Sequence, residues 1–444
     1  MKLPVTPPNW LELLHEGPDV LGQVVGRRLG PEVKGHYEHW DHLRHLSPPD
    51  GLTSEQWWLG IKLARQSLYK QLPLQTQEHQ PFLFAPSDSI QRKLFIVARD
   101  AAGALQGARA MPSDTLQERY LIRSLMEEAM TSSQLEGAAT TTQVAKDMLR
   151  TGRPARDHGE RMILNNYHTM RELKRWLGQP LTPATVFEIH RMLTDGTLKD
   201  AESAGRFRHV EENIVVQDEV GKILHTPPPA HELPDRMQAL CAFANSGDSE
   251  GEFIHPVVRA VLIHFMIGYD HPFVDGNGRT ARALFYWSML NAGFWMTEYF
   301  SISSILKGAP SQYNRAYLYT ESDEGDTSYF VAHQLDALLK AIDGVHAYIA
   351  RKQDAQHQAE TLLKPGSKLA RRLNHRQRAL LLNALKHPDK GFTIAVHQRT
   401  HDVTYETARS DLRGLAALNL MRQYRQSKAF VFVAVPDLGK KLRS

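Results

Sequence analysis

The sequence predicts a mainly α protein: a helical core interrupted by one β-hairpin, preceded by a further helical region and followed by a basic winged helix-turn-helix. Three observations carry that expectation. Apolar residues recur at helical spacing in six runs: Leu116 to Gly137, His158 to Trp176, Pro183 to Thr194, Leu233 to Asn245, Pro256 to Tyr269 and Arg279 to Gly293. One strand–turn–strand pattern breaks the series, Asn213 to Gln217 and Lys222 to His225 around Asp218 to Gly221, and stops at Pro227-Pro228-Pro229, which cannot continue a sheet. Beyond Lys364-Pro-Gly-Ser, which reads as a linker, the order becomes helix, short helix, long helix and hairpin.

Taken in order, residues 1–105 are rich in Pro, Trp and His and hold helix-like pieces such as Ser54 to Gln71 after the turn Pro48-Pro49-Asp50-Gly51. No catalytic spacing occurs there. Residues 106–355 form the helical core. Residues 368–438 form the winged helix, in which Thr404 is suited to cap a helix whose core face is Val403, Ala408, Leu412, Leu415 and Leu418. Arg409 and Arg413 fall four apart on another face of it, and Phe430 to Val435 makes a terminal strand.

Composition narrows the class. A chain of 444 residues implies two to four domains, and 42% hydrophobic with 23% charged residues is ordinary for a globular protein. The longest apolar run, Ala260 to Tyr269, is interrupted by His264 and is too short to span a bilayer. The early prolines of MKLPVTPPNW leave no secretory h-region, so a cytoplasmic address is expected, with no membrane partner. A single cysteine, Cys241, excludes an intramolecular disulfide and a multi-cysteine metal cluster. The net charge of +4 is unevenly spread: Lys364 to Ser444 carries about +12, leaving about −8 elsewhere. A basic module of this kind meets nucleic acid or acidic partners, or is a solvated face.

Chemistry concentrates in His271-Pro-Phe-Val-Asp-Gly-Asn-Gly-Arg-Thr-Ala-Arg282, between two apolar helical runs. Gly276 and Gly278 let the backbone curl and direct successive N–H groups inward. The helix expected from about Arg279 adds free donors and a positive dipole end. Arg279 and Arg282, three apart, share a face of its first turn. Amide nest, helix terminus and two guanidinium groups specify a polyphosphate. Asp275 is a hard oxygen ligand suited to Mg²⁺ on phosphates, and His271 is a candidate base near neutral pH. Phe273, apolar between polar neighbours, anchors the loop in the core.

This segment resembles the signature of the Fic family, H-x-F-x-(D/E)-G-N-G-R-x-x-R, without departure. The resemblance covers about residues 110–345 and implies a helical Fic core that transfers AMP from ATP to a protein hydroxyl on Ser, Thr or Tyr. It implies that His271 deprotonates the target hydroxyl and that Asp275 holds Mg²⁺. Gly276, Asn277 and Gly278 resemble the anion hole for the α- and β-phosphates. Arg279 and Arg282 resemble the arginines on the β- and γ-phosphates, with Thr280 and Ala281 in the same ATP-binding stretch. Phosphorylating relatives carry lysine where this chain has Gly278, which disfavours kinase chemistry.

Upstream, Ser132-x-x-x-Glu136-Gly137 ends the run at 116–137 and resembles the family's inhibitory motif, (S/T)-x-x-x-E-(G/N), in the class where that helix precedes the core. The resemblance implies that Glu136 pairs with Arg282 and denies it to the γ-phosphate. Residues 205–229 resemble the family's flap, whose Ile214, Val215 and Val216 would pair with an extended target segment. Asp323, in Asp323-Glu-Gly-Asp326, falls where relatives approach the adenosine. Two alternatives remain at this point. The same site removes AMP or has both activities, or the chain is a DNA-binding regulator with a secondary Fic core that contacts duplex through Arg409 and Arg413. Oligomeric state is open.

Overall fold

The computed structural model describes residues 1–15, 18–102, 114–218, 220–247, 252–362, 372–387, 390–426 and 429–443. The linker expected at Lys364 and the domain boundaries at 105/106 and 368 lie outside them. The chain divides into two compact units, Met1–Val345 and His346–Ser444. No helix among the described residues is long and apolar enough to cross a membrane.

Unit 1 begins with three short helices, α1 (Trp10–Leu14), α2 (Pro18–Gly26) and α3 (Trp40–Leu43), around α4 (Ser54–Gln66). Thr53 and Gln56 close a capping box at the start of α4, and Trp40, Trp57 and Trp58 bury beneath it. The helix expected through Gln71 stops at Gln66. Lys70–Gln75 instead forms β1, antiparallel to β2 (Pro81–Phe84), so residues 1–105 are not wholly helical. Pro73 is compatible with an edge position of such a pair.

The helical core follows: α5 (Asp88–Ala102), α6 (Asp114–Leu135), α7 (Thr142–Thr151), α8 (His158–Glu172) and α9 (Pro183–Thr194). The hairpin is shorter than the sequence pattern suggests. β3 (Val216–Gln217) pairs with β4 (Ile223–His225), while Ile214 and Val215 lie outside the strand because Asn213 turns left-handed at φ 45°. Then come α10 (Leu233–Asn245), α11 (Pro256–Asp270), α12 (Asn277–Asn291), α13 (Ile302–Gly308), α14 (Pro310–Ser322) and α15 (Ser328–Leu362), within which unit 1 ends. Helices α11 and α12 pack on each other and are buried on nearly every face, as central helices are. Helix α6 packs on α8 and α13.

Unit 2 contains α16 (His375–Lys386), β5 (Phe392–Thr393), α17 (Ile394–His401), α18 (Tyr405–Ala417), the hairpin β6 (Met421–Gln426) and β7 (Ala429–Ala434), and α19 (Leu438–Arg443). Its antiparallel sheet has the order β5-β7-β6. Thr404 accepts from the Thr407 amide at 3.2 Å, and Ala408, Leu412 and Leu415 enter a core with Leu380, Leu381 and Phe432.

Candidate functional site

Helix α11 ends at Asp270 because His271 turns left-handed, at φ 45°. Its side chain is half-buried, and desolvation lowers its pKa to about 4. The ring Nδ1 lies 3.2 Å from the Gly268 carbonyl, which can only accept, so Nδ1 carries the proton and Nε2 keeps a lone pair. The loop is then pinned from inside. Phe273 is fully buried, its N–H donates to Asn277 Oδ1 at 2.9 Å, and Asn277 Nδ2 returns a bond to the Phe273 carbonyl at 2.8 Å. Gly276 caps α12 at φ 86°, a conformation glycine adopts without strain. The helix starts at Asn277, two residues earlier than the pattern suggests, so the Gly278 and Arg279 amides lie in its first turn.

The two arginines differ in what satisfies them. Arg279 is fully buried and donates through Nη1 to the Leu193 carbonyl at 2.9 Å, but its Nε and Nη2 have no hydrogen-bond acceptor. Asp275 stands 3.6 Å from Nη2, with half of its side chain exposed. Arg282 is engaged by α6 or the residue just beyond it: Nε donates to Ser132 Oγ at 2.8 Å, and Nη2 donates to the Ser132 carbonyl at 3.0 Å and to Glu136 Oε1 at 2.7 Å. Burial alone would raise the Glu136 pKa; Arg282, aided by Arg279, holds it below the usual carboxylate value. The carboxylate also presses on the first turn of α12. A Cβ at Gly278 would fall 2.1 Å from Glu136 Oε1. Gly137, at φ 92°, ends the helix immediately after the glutamate. Glu136 is therefore an internal anion seated at a helix N-terminus between two guanidinium groups.

The structure thus brings together His271, Asp275 to Arg282, Ser132 and Glu136. Thr280 is buried and bonds its own helix, Oγ1 to the Gly276 carbonyl at 2.9 Å, and Ala281 is buried. Ile214, Val215 and Val216 are half-buried at the flap. Asp323 is not open to a nucleotide. Its carboxylate accepts from Lys62 at 2.8 Å and Tyr329 at 2.8 Å, and Lys62 and Arg65 hold its pKa down against burial. In unit 2 Arg413 is exposed, whereas Arg409 pairs with Glu406 at 2.9 Å.

Two residues absent from the sequence reading position the loop. His190 of α9 stacks on Phe273, centroids 3.8 Å apart. Its Nδ1 accepts from the Gly205 amide at 2.9 Å, so Nε2 bears the proton and donates to the Asp275 carbonyl at 2.9 Å. Arg208 donates through Nε to the His271 carbonyl at 2.8 Å, and its amide donates to the Pro272 carbonyl at 2.9 Å. The only sequence signals were a lone histidine in an apolar run and the arginine of Gly205-Arg-Phe-Arg208.

A magnesium ion fits Asp275. One half-exposed carboxylate suffices for an ion that takes its other ligands from phosphate and water. Among the described residues no three His, Cys, Asp or Glu converge as an all-protein metal cage.

Residues 180–289 match the family model described as Fic/DOC family. The chain is similar to a protein named protein adenylyltransferase Fic from Nematostella vectensis, 31% identical over 210 residues that make up 47% of this chain and 44% of that one. The relative of the same name from Drosophila grimshawi is 28% identical over 271 residues, 61% of this chain and 51% of that one. The chain spans about half the length of these curated relatives. Among solved structures, a Fic family protein from Desulfovibrio desulfuricans G20 shares the fold. Its TM-score is 0.52 at 17% identity, covering 82% of this chain and 98% of that one.

Proposed function

We propose that this chain transfers AMP from ATP to a hydroxyl side chain of a protein, and that Glu136 restrains the transfer. The observation that carries the reading is Arg279, a buried guanidinium with two unanswered donors beside the free amides of α12 and a neutral histidine. Unsatisfied buried donors are costly, and a phosphate group would satisfy them. The names of the relatives, protein adenylyltransferases, support AMP as the group transferred.

In this reading His271 Nε2 accepts the proton of the acceptor hydroxyl. The hydroxyl oxygen attacks the α-phosphorus, the bond to the bridging oxygen breaks, and pyrophosphate leaves while AMP stays on the protein. Arg279 and the α12 amides meet the charge that builds on the phosphates. Magnesium, when held by Asp275, would neutralise part of that charge. In this reading the half-buried segment Ile214–Val216 aligns an extended segment of the target. Glu136 opposes all of this by standing as a carboxylate on Arg282, where the γ-phosphate would otherwise bind.

Intact-mass measurement after incubation with Mg²⁺ and ATP tests the reading. Adducts of one adenylyl group should form on the protein or its target and disappear with His271→Ala, since loss of a general base costs about 10²–10⁴-fold. Adducts that persist unchanged in His271→Ala would remove the histidine from this role.

A further inference from the structure

Helix α6 is tied to α12 on two rungs. The first is formed by Ser132 and Glu136 on Arg282. The second lies one turn away on each helix, where Tyr286 Oη donates to Glu128 Oε2 at 2.9 Å. Residue numbers fall on α12 as they rise on α6, so the two helices run antiparallel. Glu128, Ser132 and Glu136 follow at intervals of four and share one face.

Glu128 is buried, and three further donors converge on its carboxylate. Ser301 Oγ donates to Oε2 at 2.7 Å, the Ser303 amide donates to Oε2 at 3.2 Å, and Ser303 Oγ donates to Oε1. These donors are hydroxyls and an amide, with no cation among them. Tyr286 Oη in turn accepts from the Ile302 amide at 3.0 Å, so one carboxylate joins α6, α12 and the first turn of α13. The same seam is fastened on either side, where Ser124 Oγ donates to the Tyr299 carbonyl at 2.8 Å and Lys307 donates to Gln134 Oε1 at 2.6 Å. A buried carboxylate without a cation is tolerated only while every donor is in place. A slip of α6 by one residue would turn it by about 100° and leave both the charge and its donors unmatched. Apolar packing is incomplete along this stretch, since a cavity of about 350 Å³ lies beside it, lined by Leu121, Leu125, Met170 and Phe300 as well as Glu128 and Tyr286. Glu136 itself stands just past the end of α6 at Leu135, where helices fray first.

We propose that Glu128 is the positioning residue of the restraint: it locks α6 onto α12 and α13 in the register from which Glu136 reaches Arg282. The proposal rests on the reading of Glu136 as an inhibitor and adds the tie that makes that inhibitor effective. Glu128 lies two turns from Glu136, so its replacement leaves the Glu136 carboxylate and the phosphate-binding loop in place.

The test is self-labelling of the full chain by ATP carrying the label on the α-phosphate, compared among the parent, Glu128→Gln, Glu136→Gly and the double variant. Glutamine keeps the volume but sets an amide N–H₂ against donors. Glu128→Gln should raise labelling about tenfold, as expected for the loss of a charged acceptor, and should add nothing once Glu136→Gly is present. Hydrogen exchange of the α6 amides should quicken in Glu128→Gln while that of α11 stays unchanged. Tyr286→Phe, which removes one donor with little change of volume, should give a smaller gain with the same dependence on Glu136, and it decides the matter alone if Glu128→Gln does not fold. Labelling unchanged or lowered by these variants, in a protein that Glu136→Gly activates, makes Glu128 a packing residue and leaves the inhibitory reading standing. A further gain in the double variant also overturns the proposal, because Glu128 would then act by another route. No gain from Glu136→Gly overturns both.

Discussion

His271 occupies a left-handed turn, half-buried and neutral, with its proton fixed on Nδ1 by the Gly268 carbonyl. A base with pKa about 4 is already deprotonated at every pH near neutrality. The free-enzyme profile of kcat/KM for AMP transfer should therefore be flat between pH 7.5 and 5.5. Measured in Glu136→Gly the prediction holds in sign, because the carboxylate raises the His271 pKa and its removal lowers it further. An ordinary histidine near 6.5 would cost about tenfold over that range, and such a fall would contradict the half-buried, neutral state. This residue was legible in the sequence because the glycines, arginines and acid around it leave few other uses for the pattern. Its depressed pKa was not, since burial comes from the packing of α11 against α12.

At the scale of elements, the loop is held by the flap as much as by its own helices. Arg208 binds the His271 carbonyl, and His190 ties Gly205 to Asp275. Replacing Arg208 with Ala leaves the His271 carbonyl without its guanidinium donor and lets the loop shift. In the Glu136→Gly background kcat should fall by roughly 10²-fold while tripolyphosphate affinity persists, since small misplacements at a reacting centre are that costly. Equal kcat with and without the arginine would make it a packing residue only. The six helical runs were readable from their apolar period, and their ends fall within a few residues of the pattern. The β1–β2 pair was not, because Lys-Gln-Leu-Pro-Leu-Gln offers two buried leucines around a proline. The surroundings of Asp323 were not legible either: the family resemblance implies a place near the adenosine, and the structure pairs it with Lys62, some 260 residues earlier in the chain.

Across the whole molecule two demands on charge are separate. Unit 2 holds most of the basic excess that the sequence concentrates after Lys364, and Arg413 stands exposed on α18 while Arg409 is shared with Glu406. If that surface meets duplex DNA, Arg413→Ala should weaken binding at all sequences and reduce the salt slope by about one, with a smaller effect from Arg409→Ala. An unchanged slope assigns unit 2 to protein contacts or packing. In unit 1 the proposed restraint is Glu136, which would hold back a competent transferase by occupying Arg282. The most direct measurement is self-labelling or target labelling by Glu136→Gly with ATP carrying the label on the α- or the γ-phosphate. The expected result is a gain with α-label, none with γ-label, and loss of the gain when Arg282→Ala is added. A well-folded Glu136→Gly protein with less α-labelling than the parent would contradict it. Simultaneous loss of AMP removal from a modified protein would assign the carboxylate to hydrolysis instead.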